Sequence, residues 1–138
     1  MSLFRNILAV IVGLMAGSLI NMGLVTLGYK LFPPPPGLNP QDSASIAANA
    51  HLMEPKHFLF PFLAHALGTF FGALLAYKMA GSVRAVLAFV IGVLFLAGGI
   101  AASFMIPAPK WFVALDLLGA YLPMAWLATR VGGAGNRS

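Results

Sequence analysis

The sequence predicts an all-α membrane protein, a four-transmembrane-helix antiparallel bundle with both termini in the cytoplasm. Three observations predict it. Of 138 residues, 60% are hydrophobic and only 8% are charged, where a soluble domain carries about 25%. The apolar residues gather into four runs, each near or above the roughly 20 residues that cross a hydrocarbon core. Proline or glycine clusters separate these runs: Pro33-Pro34-Pro35-Pro36-Gly37, Gly81-Ser82 and Pro107-Ala108-Pro109. So short a chain has too much surface for its volume to bury this apolar area in itself. Lipid takes up the remainder.

The first span covers residues 4–32 and exceeds what a crossing requires, so it tilts or projects. Its start, Met1-Ser2-Leu3-Phe4-Arg5, imitates a signal peptide. The run is longer than an h-region of about 7–15 residues and reads as an uncleaved span. Four prolines end it, because proline lacks the helix donor and restricts the residue before it. A proline-rich outer loop covers residues 33–56. Within it Asn39-Pro40-Gln41-Asp42 has the residues of a helix start, and the Ala-rich stretch from Ser43 to Met53 suits a short surface helix. The second span covers residues 57–79, with Pro61 in its first turns. The third covers 84–106. The fourth covers 111–129, with Pro123 as its kink. Residues 1–131 form a single transmembrane domain, and 132–138 read as a disordered tail.

Basic residues near span ends set orientation. Arg5, Lys78, Arg84, Arg130 and Arg137 fall on one side. Lys30, Lys56 and Lys110 fall on the other, diluted by Asp42 and Glu54. The bias puts both termini inside and the proline loop outside, in the periplasm of a bacterium. Tyr29 and Trp111 fall where interfacial aromatics belong. The net charge of +5 does not imply nucleic acid, because the basic residues are scattered singly. The chain has no cysteine, which excludes disulfides, thiolate metal sites and S-acylation.

Small residues recur every fourth position on two spans: Ala9, Gly13, Gly17 and Asn21 on the first, Ala64, Gly68, Gly72 and Ala76 on the second. Each set forms one narrow face of the kind that lets membrane helices approach closely. The third span adds Ala88, Gly92 and Gly98-Gly99. Periodicity leaves open whether these faces meet each other or another subunit.

An ionisable group inside the bilayer costs about 2.5–3.5 kcal/mol on insertion scales, so it has a partner or a task. His65 and Asp116 are the clear cases. At the helical rise they lie about 12 Å and about 8 Å below the same surface. Asn21 reaches a similar level, with Thr69 one turn below His65 and Tyr121 below Asp116. These five residues form the predicted intramembrane polar site, with a His65–Asp116 contact at its centre. Such a contact either clamps helices together or holds a proton, ion or ligand.

His51, Glu54 and His57 form a second group at spacings of three, which on a continuous helix suits a divalent ion. Pro55 interrupts that helix, and the spacing is not the His-Glu-x-x-His of zinc proteases. Interfacial anchoring is the alternative reading. A b-type haem lacks axial histidines on facing helices of one chain. Nothing else in the sequence implies a cofactor.

Four strings carry a resemblance: Pro35-Pro36-Gly37, Glu54-Pro55-Lys56-His57-Phe58, Phe62-Leu63-Ala64-His65-Ala66-Leu67-Gly68-Thr69 and Trp111-Phe112-Val113-Ala114-Leu115-Asp116. Together they resemble small uncharacterised four-span bacterial inner-membrane proteins. The resemblance implies the architecture and the membrane, and no catalytic residue.

Three functions follow. The first is a non-enzymatic structural or accessory protein acting by self-association or by packing on a larger membrane complex. The second is an oligomeric small transporter or channel lined by His65, Asp116 and Asn21. The third is an acid–base enzyme built on His65 and Asp116, which lacks a nucleophile. The expected partners are the lipid bilayer and a second copy or another membrane protein.

Overall fold

Four helices, each long and apolar enough to cross a membrane, make up most of the chain. The computed structural model describes residues 2–134, and among them there is no strand. Helix α1 is Ser2–Leu31. Its 30 residues extend about 45 Å at the helical rise, more than the hydrocarbon thickness of about 30 Å. The prolines stop it, and residues 33–42 carry no helix. Helix α2, Ser43–Asn49, begins where Asp42 accepts a hydrogen bond from the Ala44 amide. That cap satisfies a donor the first turn leaves open. A 3-10 turn, Ala50–Leu52, follows it, so the surface helix expected from Ser43 to Met53 is α-helical only in its first part.

A second 3-10 turn, Pro55–Phe58, leads directly into α3, Leu59–Met79. Helix α4 is Arg84–Met105. The fourth apolar stretch, Lys110–Ala134, is two helices: α5, Lys110–Gly119, and α6, Leu122–Ala134. The sequence suggests a kink at Pro123, and the structure has a break at Ala120–Tyr121. Pro123 has no amide hydrogen, and its ring excludes the carbonyl of Gly119 four residues back. Regular hydrogen bonding resumes with the Ala125 amide donating to the Tyr121 carbonyl at 2.9 Å.

The expected tail differs as well. Gly132, Gly133 and Ala134 are helical. Gly132 is buried against the Tyr77 ring, where an added Cβ would lie 2.6 Å from it. The Lys78 ammonium donates to the Gly132 carbonyl at 3.2 Å. This contact holds α6 in place past the composition that suggested a tail. Residues 135–138 lie outside the described residues.

The two small-residue faces meet each other within one chain. A methyl placed on Gly13 would lie 2.7 Å from the Gly72 carbonyl oxygen, and one on Gly17 would lie 2.7 Å from that of Gly68. Only glycine permits backbones this close. Gly28 continues the seam against Phe60. At one end of the molecule, the turn end, Asn6 ties α1 to the loop between α3 and α4. Its carbonyl accepts from the Gly81 and Ser82 amides at 2.9 and 3.1 Å, and its amide donates to the Ser82 hydroxyl at 2.9 Å. Val83, next in that loop, has φ +44°, a left-handed conformation costing about 1–2 kcal/mol in a side-chain-bearing residue.

The packed core sits toward the turn end. Ala73, Ala76, Ala88, Ile91, Ala125 and Ala128 are fully buried there. Alanines dominate because three helix backbones converge, leaving room for little more than a methyl group. Gly92 serves the same purpose: a Cβ on it would lie 2.8 Å from that of Ala125. Toward the other end, which carries residues 32–58, α1 and α4 are no longer filled in between.

Candidate functional site

The unfilled space is a cavity of about 370 Å³. Walls come from α1, α3, α4 and α5, and Ile46 and Met53 border it from the loop segment. Its limit toward the turn end is Phe95, whose ring lies where a Cβ on Gly17 would be 2.9 Å away. Most of the wall is apolar, from residues such as Val25, Phe58, Phe112, Val113 and Leu117. Its polar residues include all five of the predicted polar site, Asn21, His65, Thr69, Asp116 and Tyr121, together with Ser18, Tyr29 and Ser103.

Two of these make a direct pair. His65 Nδ1 lies 2.7 Å from Asp116 Oδ1. The Tyr121 hydroxyl donates to Asp116 Oδ2 at 3.1 Å. Each carboxylate oxygen therefore has a donor, which offsets the desolvation of a side chain only 7% exposed. With Nδ1 engaged by the carboxylate, Nε2 is the ring nitrogen of His65 left without a protein partner. The rings of His65 and Tyr121 stack at 5.8 Å. Gly99 makes room for the tyrosine: a Cβ there would lie 2.5 Å from its hydroxyl.

Tyr121 reaches Asp116 because the helix breaks between them. In a continuous helix, residues five apart point about 140° away from each other. Pro123 and Gly98-Gly99 are the sequence signals for this arrangement. Both were visible in the sequence, but neither points to Tyr121 without the tertiary contact.

Asn21 and Thr69 differ from the other three. Asn21 Oδ1 and Thr69 Oγ1 are buried without a hydrogen-bond partner. Thr69 is 1% exposed and does not bond back to its own helix, as a mid-helix threonine often does. An unpartnered buried polar atom costs about 1–3 kcal/mol.

His51, Glu54 and His57 do not converge, and no group of three or more potential ligands occurs among the described residues. His57 Nδ1 accepts from the Glu54 amide at 2.9 Å, and His57 Nε2 donates to the Pro33 carbonyl at 3.0 Å. Both ring nitrogens are thereby committed to holding the loop. Glu54 pairs with Lys56 at 3.3 Å on the surface, and His51 is exposed. Trp111 is half exposed and sets its ring edge on Phe58, while Tyr29 lines the cavity.

Comparison with protein-family models, curated proteins and solved structures gives no match. The site is therefore read from its own chemistry. It offers a carboxylate–imidazole pair, a phenol and two unpaired polar atoms in a mostly apolar surrounding. Cysteine is absent, and Ser103, the cavity hydroxyl on α4, donates to its own helix at Ile100.

Proposed function

We propose that this chain is a non-enzymatic accessory protein of a bacterial inner membrane. In this reading it is an antiparallel bundle with both termini in the cytoplasm and the proline loop outside. Its working part is the polar cavity, which then lies in the outer half of the bilayer and holds a small membrane-resident guest. The observation that carries this reading is the cavity's one-sidedness. The polar cavity lies toward one end of the bundle, while the alanine core and Phe95 fill it toward the other. A blind cavity suits holding better than passage.

The small-residue faces support a monomer that is complete in itself, because they are consumed between α1 and α3. Packing on a larger complex then falls to the outer surfaces, where α4 exposes Val86, Val93, Leu94, Ile100 and Phe104. A second reading, an oligomeric transporter or channel, draws on the convergence of His65, Asp116 and Asn21. It needs a pathway supplied by further subunits.

Gentle extraction followed by native mass measurement tests the proposal. A retained small mass on the wild-type chain, reduced in Asp116→Asn, is the expected result. Bare chains with no retained mass and no copurifying partner would overturn it. Solute flux in proteoliposomes that Asp116→Asn abolishes would favour the transporter instead.

A further inference from the structure

We infer that the cavity binds a neutral amphiphile with a hydroxyl head, entering sideways from the bilayer between α1 and α4. This inference rests on the holding role proposed above and specifies the guest. The volume of about 370 Å³ lies in the range of small-molecule sites, about 300–1,000 Å³. Water alone does not fill it well, since each buried water needs two to four polar partners and only the part of the wall around Asn21, His65 and Thr69 offers them. Ser18 on α1 and Gly98 on α4 line the cavity and are exposed, so its flank is open at the height of the polar residues.

The head group follows from the charges and hydrogen bonds present. No lysine or arginine lines the cavity, and Asp116 is an acidic neighbour, so phosphate and carboxylate heads are disfavoured. Asp116 is only 7% exposed and both of its oxygens already face donors within the bundle, so an ammonium would have to compete with His65 and Tyr121 to reach it. What remains is the unpartnered carbonyl of Asn21, which can only accept, and the Thr69 hydroxyl, which both donates and accepts, with the free Nε2 of His65 beside them. Such a set is completed by a molecule that donates. His65 and Thr69 are one turn apart on α3, about 6 Å along the axis, within reach of one head group. A phenolic quinol and a long-chain alcohol share this chemistry.

The test uses delipidated full-length protein in detergent and four probes: a decyl-substituted benzoquinol kept reduced, its quinone, farnesol and decanoate. Binding is read by equilibrium dialysis and by the shift in melting temperature. The quinol or farnesol should bind, with the quinone and decanoate at least about tenfold weaker. Thr69→Val keeps the shape and removes the unpaired hydroxyl. It should melt at or above the wild-type temperature without ligand, yet bind the preferred probe about tenfold more weakly. Asn21→Ala should weaken binding in the same direction. Stronger quinol than farnesol binding assigns an aromatic head, and the reverse assigns an aliphatic alcohol.

Decanoate binding as well as farnesol would overturn the inference, because the head would then go unread. So would wild-type affinity in a folded Thr69→Val. A retained native mass that carries no hydroxyl would also overturn the guest's identity while sparing the holding role, so the two failures are distinguishable.

Discussion

At the scale of single residues, Asp116 sets the consequences of substitution because both of its oxygens are used. Asp116→Asn replaces one acceptor by a donor and leaves Tyr121 or His65 without a partner. A hydrogen bond to a charged group contributes about 1.5–3 kcal/mol, and a loss of that order is expected. His65→Ala strands the carboxylate instead. Breaking a buried pair costs about 3–5 kcal/mol, and the lower part of that range applies here because the imidazole is 28% exposed. Both substitutions remove the same contact, so the double variant should be no less stable than the worse single one. Denaturation of the three variants in one detergent measures this, and fully additive losses would contradict a direct pairing. Thr69 belongs to a different class. Its hydroxyl contributes nothing to the empty fold, so its removal separates binding from stability in a way that no change at Asp116 can.

Between helices, stability depends on backbone approach more than on side-chain bulk. Gly72→Ala would set a methyl 2.6 Å from the Gly13 carbonyl, which is backbone and cannot turn aside. Separating α1 from α3 is expected to cost about 1–3 kcal/mol, as overpacking does. Gly23→Ala, with nothing within 4 Å of the added methyl, should be neutral or gain up to about 1 kcal/mol from helix propensity. Melting temperatures of the two variants compare them directly, and equal losses would mean that the seam does not hold the bundle. The seam's two halves were legible in the sequence because glycine every fourth residue marks one face. Their pairing was not, since periodicity carries no information about a partner. The same limit explains the break before Pro123. Proline marks an interruption, but the position of Tyr121 depends on the room that Gly99 leaves on another helix. It also explains α6, where three residues resembling a tail are held by Tyr77 and Lys78. His65 and Asp116 were legible as a pair because counting residues at a fixed rise gives depth, and two ionisable groups in a bilayer require company.

For the molecule as a whole, the distribution of charge is the signal from which the proposed orientation of the cavity is read. Arg5, whose guanidinium donates to the Met79 carbonyl, Lys78 and Arg84 gather at the turn end. Arg130, beside the Trp126 ring, lies on the last helix, whose Gly132 carbonyl is bound there by Lys78. Lys30, Lys56 and Lys110 occupy the other end, with Lys56 partly neutralised by Glu54. The surplus at the turn end is one basic residue among those described, a small bias of the kind that fixes orientation in short-looped proteins. A chain without cysteine allows a clean test with single replacements, Gln41→Cys in the proline loop and Ser82→Cys in the turn. In intact cells a membrane-impermeant maleimide should label Gln41→Cys, and should reach Ser82→Cys only after permeabilisation. The reverse pattern would invert the molecule, and labelling of both in sealed cells would exclude a single orientation. The outcome bears on the guest as much as on topology. With the loop outside, Asn21, His65 and Asp116 lie in the outer leaflet's half of the bilayer. A hydroxyl-bearing amphiphile would then be drawn from that leaflet, because the alanine core closes the bundle to the other.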